Sequence, residues 1–237
     1  MEKIQDRIDI KTRTLLRKIK DIEREINPRD CVSAFRNGYG SMPNSIIYDA
    51  INEIKKSDIK NKGFLDMGSG LGGKVIIANS LGLPAYGVEI NGFLHYYSER
   101  VLERTQKFLS DEDCKILSGS YFPNEYIKMR ESGKSLALDF EKDELLCRDE
   151  FIPVGNSRDI YEHNGIDLGK IGIFYRYGWG KDVPSTLEMF SLFSSDDAIL
   201  ISASSHYPDK FKELLKELKL KVHGDYTGLF YLISKDK

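Results

Sequence analysis

Apolar residues in the opening segment recur at Ile8, Leu15, Ile19, Ile22 and Ile26, and charged residues fill most of the positions between them. Steps of seven, four, three and four place these side chains on one stripe of a helix. Asn27-Pro28 ends the stripe, because a residue before proline is pushed out of the α region. Residues 1–34 are therefore expected to form a helical arm, whose stripe meets its own domain, a second copy of the chain in a homodimer, or the rim of a binding site. A further helix is expected over 44–56.

From Gly63 the period changes. Gly63-Phe64-Leu65-Asp66-Met67 reads as a short buried strand that runs into a glycine turn, and Val75-Ile76-Ile77-Ala78 suits the start of a helix. A second strand at 85–90, a helix over 94–109 and a third strand at 114–118 follow. Strands and helices alternating at this spacing imply right-handed βαβ units and a parallel sheet. A fourth strand at 171–175 starts only after residues 123–170, far more chain than an ordinary crossover needs. That inserted stretch is charged, carries turn signals at Pro153, Gly155 and Gly165, and reads as a helix plus an irregular or short-stranded excursion on the substrate side. The sheet resumes at 198–202, a helix spans 208–218, and two strands near 220–223 and 228–234 form an antiparallel edge hairpin. The expected class is α/β: a Rossmann-like, mostly parallel seven-stranded sheet within residues 35–237, with helices on both faces and an insertion between strands 3 and 4.

Composition narrows the partners. Thirty-five basic against thirty-seven acidic residues leave a formal charge of -2, so no global positive field draws in nucleic acid, which is not expected as a partner. Cys31, Cys114 and Cys147 are odd in number and form no C-x-x-C pair, and His95, His163, His206 and His223 lie far apart, so no metal site is expected. The charged N-terminus and the lack of any run of eighteen apolar residues argue against a secretory signal and a membrane span, and cytoplasmic location is the expectation.

The chemistry concentrates in Asp66-Met67-Gly68-Ser69-Gly70-Leu71-Gly72-Gly73, where the first strand becomes a helix. Glycines at 68, 70 and 72 let the chain turn sharply and let a ligand approach the backbone. Glu89, at the end of the second strand, falls beside this loop in a βαβ unit, where a carboxylate accepts the hydroxyls of a ribose. The same letters also fit the dinucleotide fingerprint Gly68-x-Gly70-x-x-Gly73 with an acid about twenty residues on. Asp66 separates the two ligand classes: a pyrophosphate would be repelled by it, whereas the ammonium and sulfonium of S-adenosylmethionine (SAM) would be attracted. An NAD(P)-dependent oxidoreductase and a SAM-binding protein without transferase activity stand as the alternatives.

Asp66-x-Gly68-x-Gly70-x-Gly72 together with Tyr86-Gly87-Val88-Glu89 resembles the first two motifs of the class I SAM-dependent methyltransferases. The resemblance implies that Asp66, Gly68, Ser69, Gly70 and Gly72 hold the methionine part of SAM, that Glu89 and Ile90 meet the ribose and its surroundings, and that Ser120 and Tyr121 flank the adenine. Where that family commonly has an acid after the third strand, this chain has Ser118-Gly119-Ser120-Tyr121. The Asp/Asn-Pro-Pro-aromatic motif of base-amine methyltransferases is absent from Phe174-Tyr175-Arg176-Tyr177-Gly178-Trp179-Gly180. Tyr175, Tyr177 and Trp179 are candidates for an aromatic wall around a cationic acceptor, and Arg176 for recognition of an acidic one. The loop from Ser33 to Asn44 is weakly similar to the segment covering SAM in some seven-strand protein-lysine methyltransferases, which adds Tyr39 to the catalytic candidates Tyr175 and Tyr177. The acceptor expected is a nitrogen or oxygen of a protein or small molecule.

Overall fold

A computed structural model of the chain describes residues 9–26, 42–57, 59–141, 154–177, 182–203, 209–226 and 230–236. The strands are β1 (Gly63–Met67), β2 (Ala85–Glu89), β3 (Cys114–Ser118), β4 (Ile171–Tyr177), β5 (Ile199–Ala203), β6 (Leu220–Tyr226) and β7 (Phe230–Lys235). They form one sheet in the order β3-β2-β1-β4-β5-β7-β6. Neighbours from β3 through β5 pair in parallel, while β7 runs antiparallel to both β5 and β6. The sheet is therefore the seven-stranded one expected, with the terminal hairpin turned so that β7 lies inside β6.

Alternation along each strand divides the core in two. In β1, Phe64 belongs to one cluster while Leu65 and Met67 belong to the other, and Asp66 takes the remaining position on the Phe64 side. The Phe64 face is covered by α1 (Ile10–Glu25), α2 (Asn44–Lys55), α3 (Gly73–Ser80) and α4 (Gly92–Thr105). The opposite face is covered mainly by α5 (Asn124–Glu131), α7 (Ile160–His163), α8 (Val183–Phe193) and α9 (Asp209–Glu217), with α6 (Ala137–Glu141) against α8.

Helix α1 begins at Asp9, whose side chain accepts from the Thr12 amide at 2.9 Å. Its stripe Leu15, Ile19 and Ile22 is buried in the chain's own core, so the amphipathic face is used within the molecule. The insertion holds three short α-helices among its described residues, α5, α6 and α7, with a 3-10 turn at Leu168–Lys170 and no strand. Between β4 and β5 lies α8, a helix that the hydrophobic pattern does not announce.

Among the described residues no helix is long and apolar enough to cross a membrane.

Candidate functional site

The glycine loop is held at the carboxyl end of the sheet by its own amides. Gly68 and Ser69 both donate to the Val88 carbonyl, at 3.0 and 2.9 Å, which pins the exit of β1 onto β2. Gly68, Gly70 and Gly72 have φ of 91°, 53° and 78°, the left-handed region that side chains resist. Close approach is also required beneath the loop: a Cβ on Gly87 would lie 2.7 Å from Ser69 Cβ and from Val75 Cγ2.

Glu89 ties this loop to the next element. One carboxylate oxygen accepts from the Gly70 amide at 2.8 Å and the other from the Asn91 amide at 2.7 Å. A carboxylate oxygen accepts more than one bond, so these two bonds do not exhaust the group. Burial pushes the carboxyl above its ordinary value, while the Asn91 and Gly70 amides and His95 pull it down. Ile90, next in the chain, is 64% exposed and offers an apolar surface at the mouth of the loop.

Asp66 is 1% exposed, and its Oδ1 is buried without a hydrogen-bond partner. The Ser69 hydroxyl, three residues further on, is likewise buried and unpartnered. Burial raises the Asp66 carboxyl to about 7; the Lys74 ammonium opposes the shift and Glu89 adds to it. Lys74, 6% exposed in the first turn of α3, donates to Asn44 Oδ1 of α2 at 2.6 Å. Burial lowers its ammonium, with Asp66 and then Glu23 of α1 holding it up. Glu23 is raised in turn by burial. The loop is thus set among three carboxylates and one ammonium, a net negative surrounding if all are charged.

The segments after β3 and β4 meet on the other face. The Ser120 amide donates to Asn156 Oδ1 at 2.8 Å, and Asn156 Nδ2 returns a bond to the Ser120 carbonyl at 2.9 Å, so the insertion fixes the turn after β3. The Ser120 hydroxyl accepts from the Phe122 amide at 3.3 Å. Tyr121 donates to Asp182 at 2.7 Å and lies 3.0 Å from the Thr186 hydroxyl. Burial and the Asp182 charge hold its phenol well above the ordinary range. Asp182 also pairs with Arg176, which is 1% exposed at the end of β4.

The structure brings Asp66, Gly68, Ser69, Gly70, Gly72 and Glu89 together, with Ile90 at their edge. Ser120 and Tyr121 occupy the adjoining turn after β3. Tyr175 lies in the core with its ring stacked on Phe64 at 6.5 Å, whereas Tyr177 is partly open to solvent. Tyr39, Trp179, Cys31 and Cys147 lie outside the described residues. A surface cleft of about 630 Å³ lies elsewhere, lined by Glu125, Lys128, Glu162 and Gly169 among others. Gly169 precedes β4, so this cleft includes the amino end of that strand, the wrong end for ligands of an open parallel sheet.

No protein-family model and no curated protein matches the chain. Solved structures do. The ribosomal protein L11 methylase of Lactobacillus delbrueckii subsp. bulgaricus is similar over 84% of this chain and 81% of its own, with 14% identity and a TM-score of 0.52. The T. thermophilus 16S rRNA N2 G1207 methyltransferase, solved with AdoMet and guanosine, matches 84% of this chain but 44% of its own, with 12% identity and a TM-score of 0.50. The chain has the class I SAM-dependent methyltransferase fold.

Within this methyltransferase fold, the sequence reading missed Lys74, Glu23, Asn44, Asn156 and Asp182. For Lys74 a signal existed: it is the charged residue in the otherwise small and apolar stretch from Gly73 to Ala78, and a buried lysine needs a carboxylate. The others meet their partners only through tertiary contacts.

Proposed function

We propose that the chain is a SAM-dependent methyltransferase acting on a nitrogen or oxygen acceptor of a protein or small molecule. The observation that carries this reading is the unpartnered, buried Asp66 oxygen at a loop of left-handed glycines beside Glu89. A buried carboxylate oxygen without a donor is costly, and an ammonium or its bound water would relieve it. The Ser69 hydroxyl is a second such atom at the same loop. Glu89, already oriented by two amides, would accept the ribose hydroxyls, and exposed Ile90 would lie against the adenine. Ser120 and Tyr121 border the base on this reading, Ser120 fixed by Asn156 and Tyr121 by Asp182 and Thr186.

The dinucleotide reading loses support on two counts. The usual dinucleotide sheet has the order 3-2-1-4-5-6, whereas here an antiparallel β7 lies between β5 and β6. Lys74 alone would welcome a phosphate, but Asp66 and Glu23 already act on it.

SAM supplies an electrophilic methyl group when bound. The protein's part is to orient the acceptor and, for a protonated acceptor, to take its proton. Tyr177, at the open end of β4, and Tyr39 are the residues proposed to face the acceptor; Tyr175 would act from beneath, through packing on Phe64. The two solved relatives act on a ribosomal protein and on rRNA respectively. The near-neutral net charge favours the protein or small-molecule class over nucleic acid. A homodimer through α1 would have to use its outer surface, where Ile10 is exposed, because the stripe is spent internally. Methyl-labelled SAM incubated with the protein and separated extract fractions is expected to label a protein or metabolite fraction. Glu89→Ala should weaken SAM binding by about 1.5 to 3 kcal/mol, the range for hydrogen bonds to a charged group. SAM binding without label in any fraction would leave a binding protein instead of an enzyme.

A further inference from the structure

Arg176, which the sequence offered for recognition of an acidic acceptor, is the largest fully buried side chain among the described residues. A guanidinium carries five N–H donors and stays charged. Only Nη2 has an acceptor, Asp182 Oδ1, while Nε and Nη1 are buried and without partners among the described residues. Asp182 cannot swing to satisfy them: its other oxygen accepts from the Tyr121 hydroxyl at 2.7 Å, that hydroxyl lies 3.0 Å from Thr186, and the Tyr161 hydroxyl fixes the Tyr121 carbonyl at 2.6 Å. The carboxylate is thus shared with a phenol, and the guanidinium is only partly neutralised. Leaving such donors dry is among the costlier features a core can hold, and an apolar side chain beside Phe174 and Met67 would avoid it.

Position adds direction. Arg176 pairs in register with Met67 of β1 and Ser202 of β5, one residue before the strand ends. Met67 lies between Asp66 and Gly68. The carboxyl ends of these strands are where open α/β sheets take their ligands. The natural complement of spare guanidinium donors is an oxyanion. A single, half-compensated cation suits a monoanion, so the group is a carboxylate rather than a phosphate dianion.

We propose that Arg176 binds a carboxylate at the ligand site, held ready by Asp182, Tyr121 and Thr186. This rests on the methyltransferase reading for its two sources: the α-carboxylate of SAM itself, or a carboxylate on the methyl acceptor.

The Arg176 Nε–H resonance of the ¹⁵N-labelled wild-type protein, assigned through the backbone, tests the proposal without relying on a variant that folds. SAM, decarboxylated SAM and succinate are the probes, the last added both to the free protein and to protein saturated with S-adenosylhomocysteine. If SAM moves the signal and decarboxylated SAM does not, the cofactor is the source. Their affinities should then differ by roughly ten- to a hundredfold, a gap that Arg176→Lys narrows and Arg176→Met with Asp182→Asn abolishes. If both nucleosides leave the signal in place and succinate shifts it saturably in the S-adenosylhomocysteine complex, the acceptor is the source. A signal that stays fixed with SAM and succinate, while calorimetry shows SAM bound, overturns the carboxylate site alone. No nucleoside binding, with succinate still shifting the signal in the free protein, keeps the carboxylate site and removes the methyltransferase reading.

Discussion

Asp66 is where the account turns on one proton. Its carboxyl is raised to about 7, chiefly by burial and further by Glu89, with Lys74 pulling the other way. In the unliganded protein the folded value lies above the ordinary 3.8, so this group's contribution to stability is fully present below 3.8 and is lost as pH rises through about 7. A cationic ligand beside the carboxylate reverses the balance: it favours the ionised form, lowers the value, and releases a proton on binding from acidic solution. Affinity for SAM should therefore climb as pH rises through about 7, by at most about tenfold per pH unit, and then level off. In Asp66→Asn the affinity should be weaker and the slope should vanish, as measured by calorimetry in buffers of different ionisation heat. A wild-type affinity flat from acid to alkaline pH would show that Asp66 does not face the cation. At this scale the sequence was legible where the backbone speaks: the glycines at 68, 70 and 72 and the acid at 89 announce themselves by spacing. Asn156 and Asp182 were not, because the partners that define their roles, Ser120 and Tyr121, lie 36 and 61 residues away.

Among the elements, α8 shows both what a pattern reveals and what it conceals. Its residues from Val183 to Phe190 are all buried, so the polar face that marks an amphipathic helix is missing and no 3.6-residue contrast survives. The strand at Gly63–Met67 is also buried along its whole length, yet it is read easily, because five residues between turn signals are too few for a helix. The inserted segment was read as a helix plus an irregular or short-stranded excursion; its described part holds helices joined by irregular turns and no strand, and a single buried carboxylate on α8 explains how it is held. Glu188 accepts from the Tyr126 hydroxyl at 3.0 Å, the Leu136 amide at 2.7 Å, the Ala137 amide at 3.3 Å, and the Ser135 hydroxyl. These bonds staple α5 and the start of α6 onto α8. Glu188→Gln turns a donor toward donors and should cost about 1.5 to 3 kcal/mol in chemical denaturation. An unchanged midpoint would mean that apolar packing, not this carboxylate, fixes the insertion.

For the whole molecule, the alternation of strands and helices was sufficient to predict a parallel sheet with a terminal hairpin, since each βαβ unit is local in sequence. It did not say that β7 would lie between β5 and β6, which is decided by pairing across the sheet. That placement is what separates this fold from a dinucleotide-binding one when the glycine spacing fits both. The arm, in turn, shows an amphipathic stripe whose partner no sequence pattern names: Leu15, Ile19 and Ile22 are buried in the same core as Phe64 and Val75. The ligand class remains the central claim, and titration calorimetry of the purified protein with S-adenosylhomocysteine and with NAD⁺ tests it most directly. The account predicts stoichiometric heat for S-adenosylhomocysteine, weakened in Glu89→Ala, and none for NAD⁺; saturable heat for NAD⁺ with none for S-adenosylhomocysteine would contradict it.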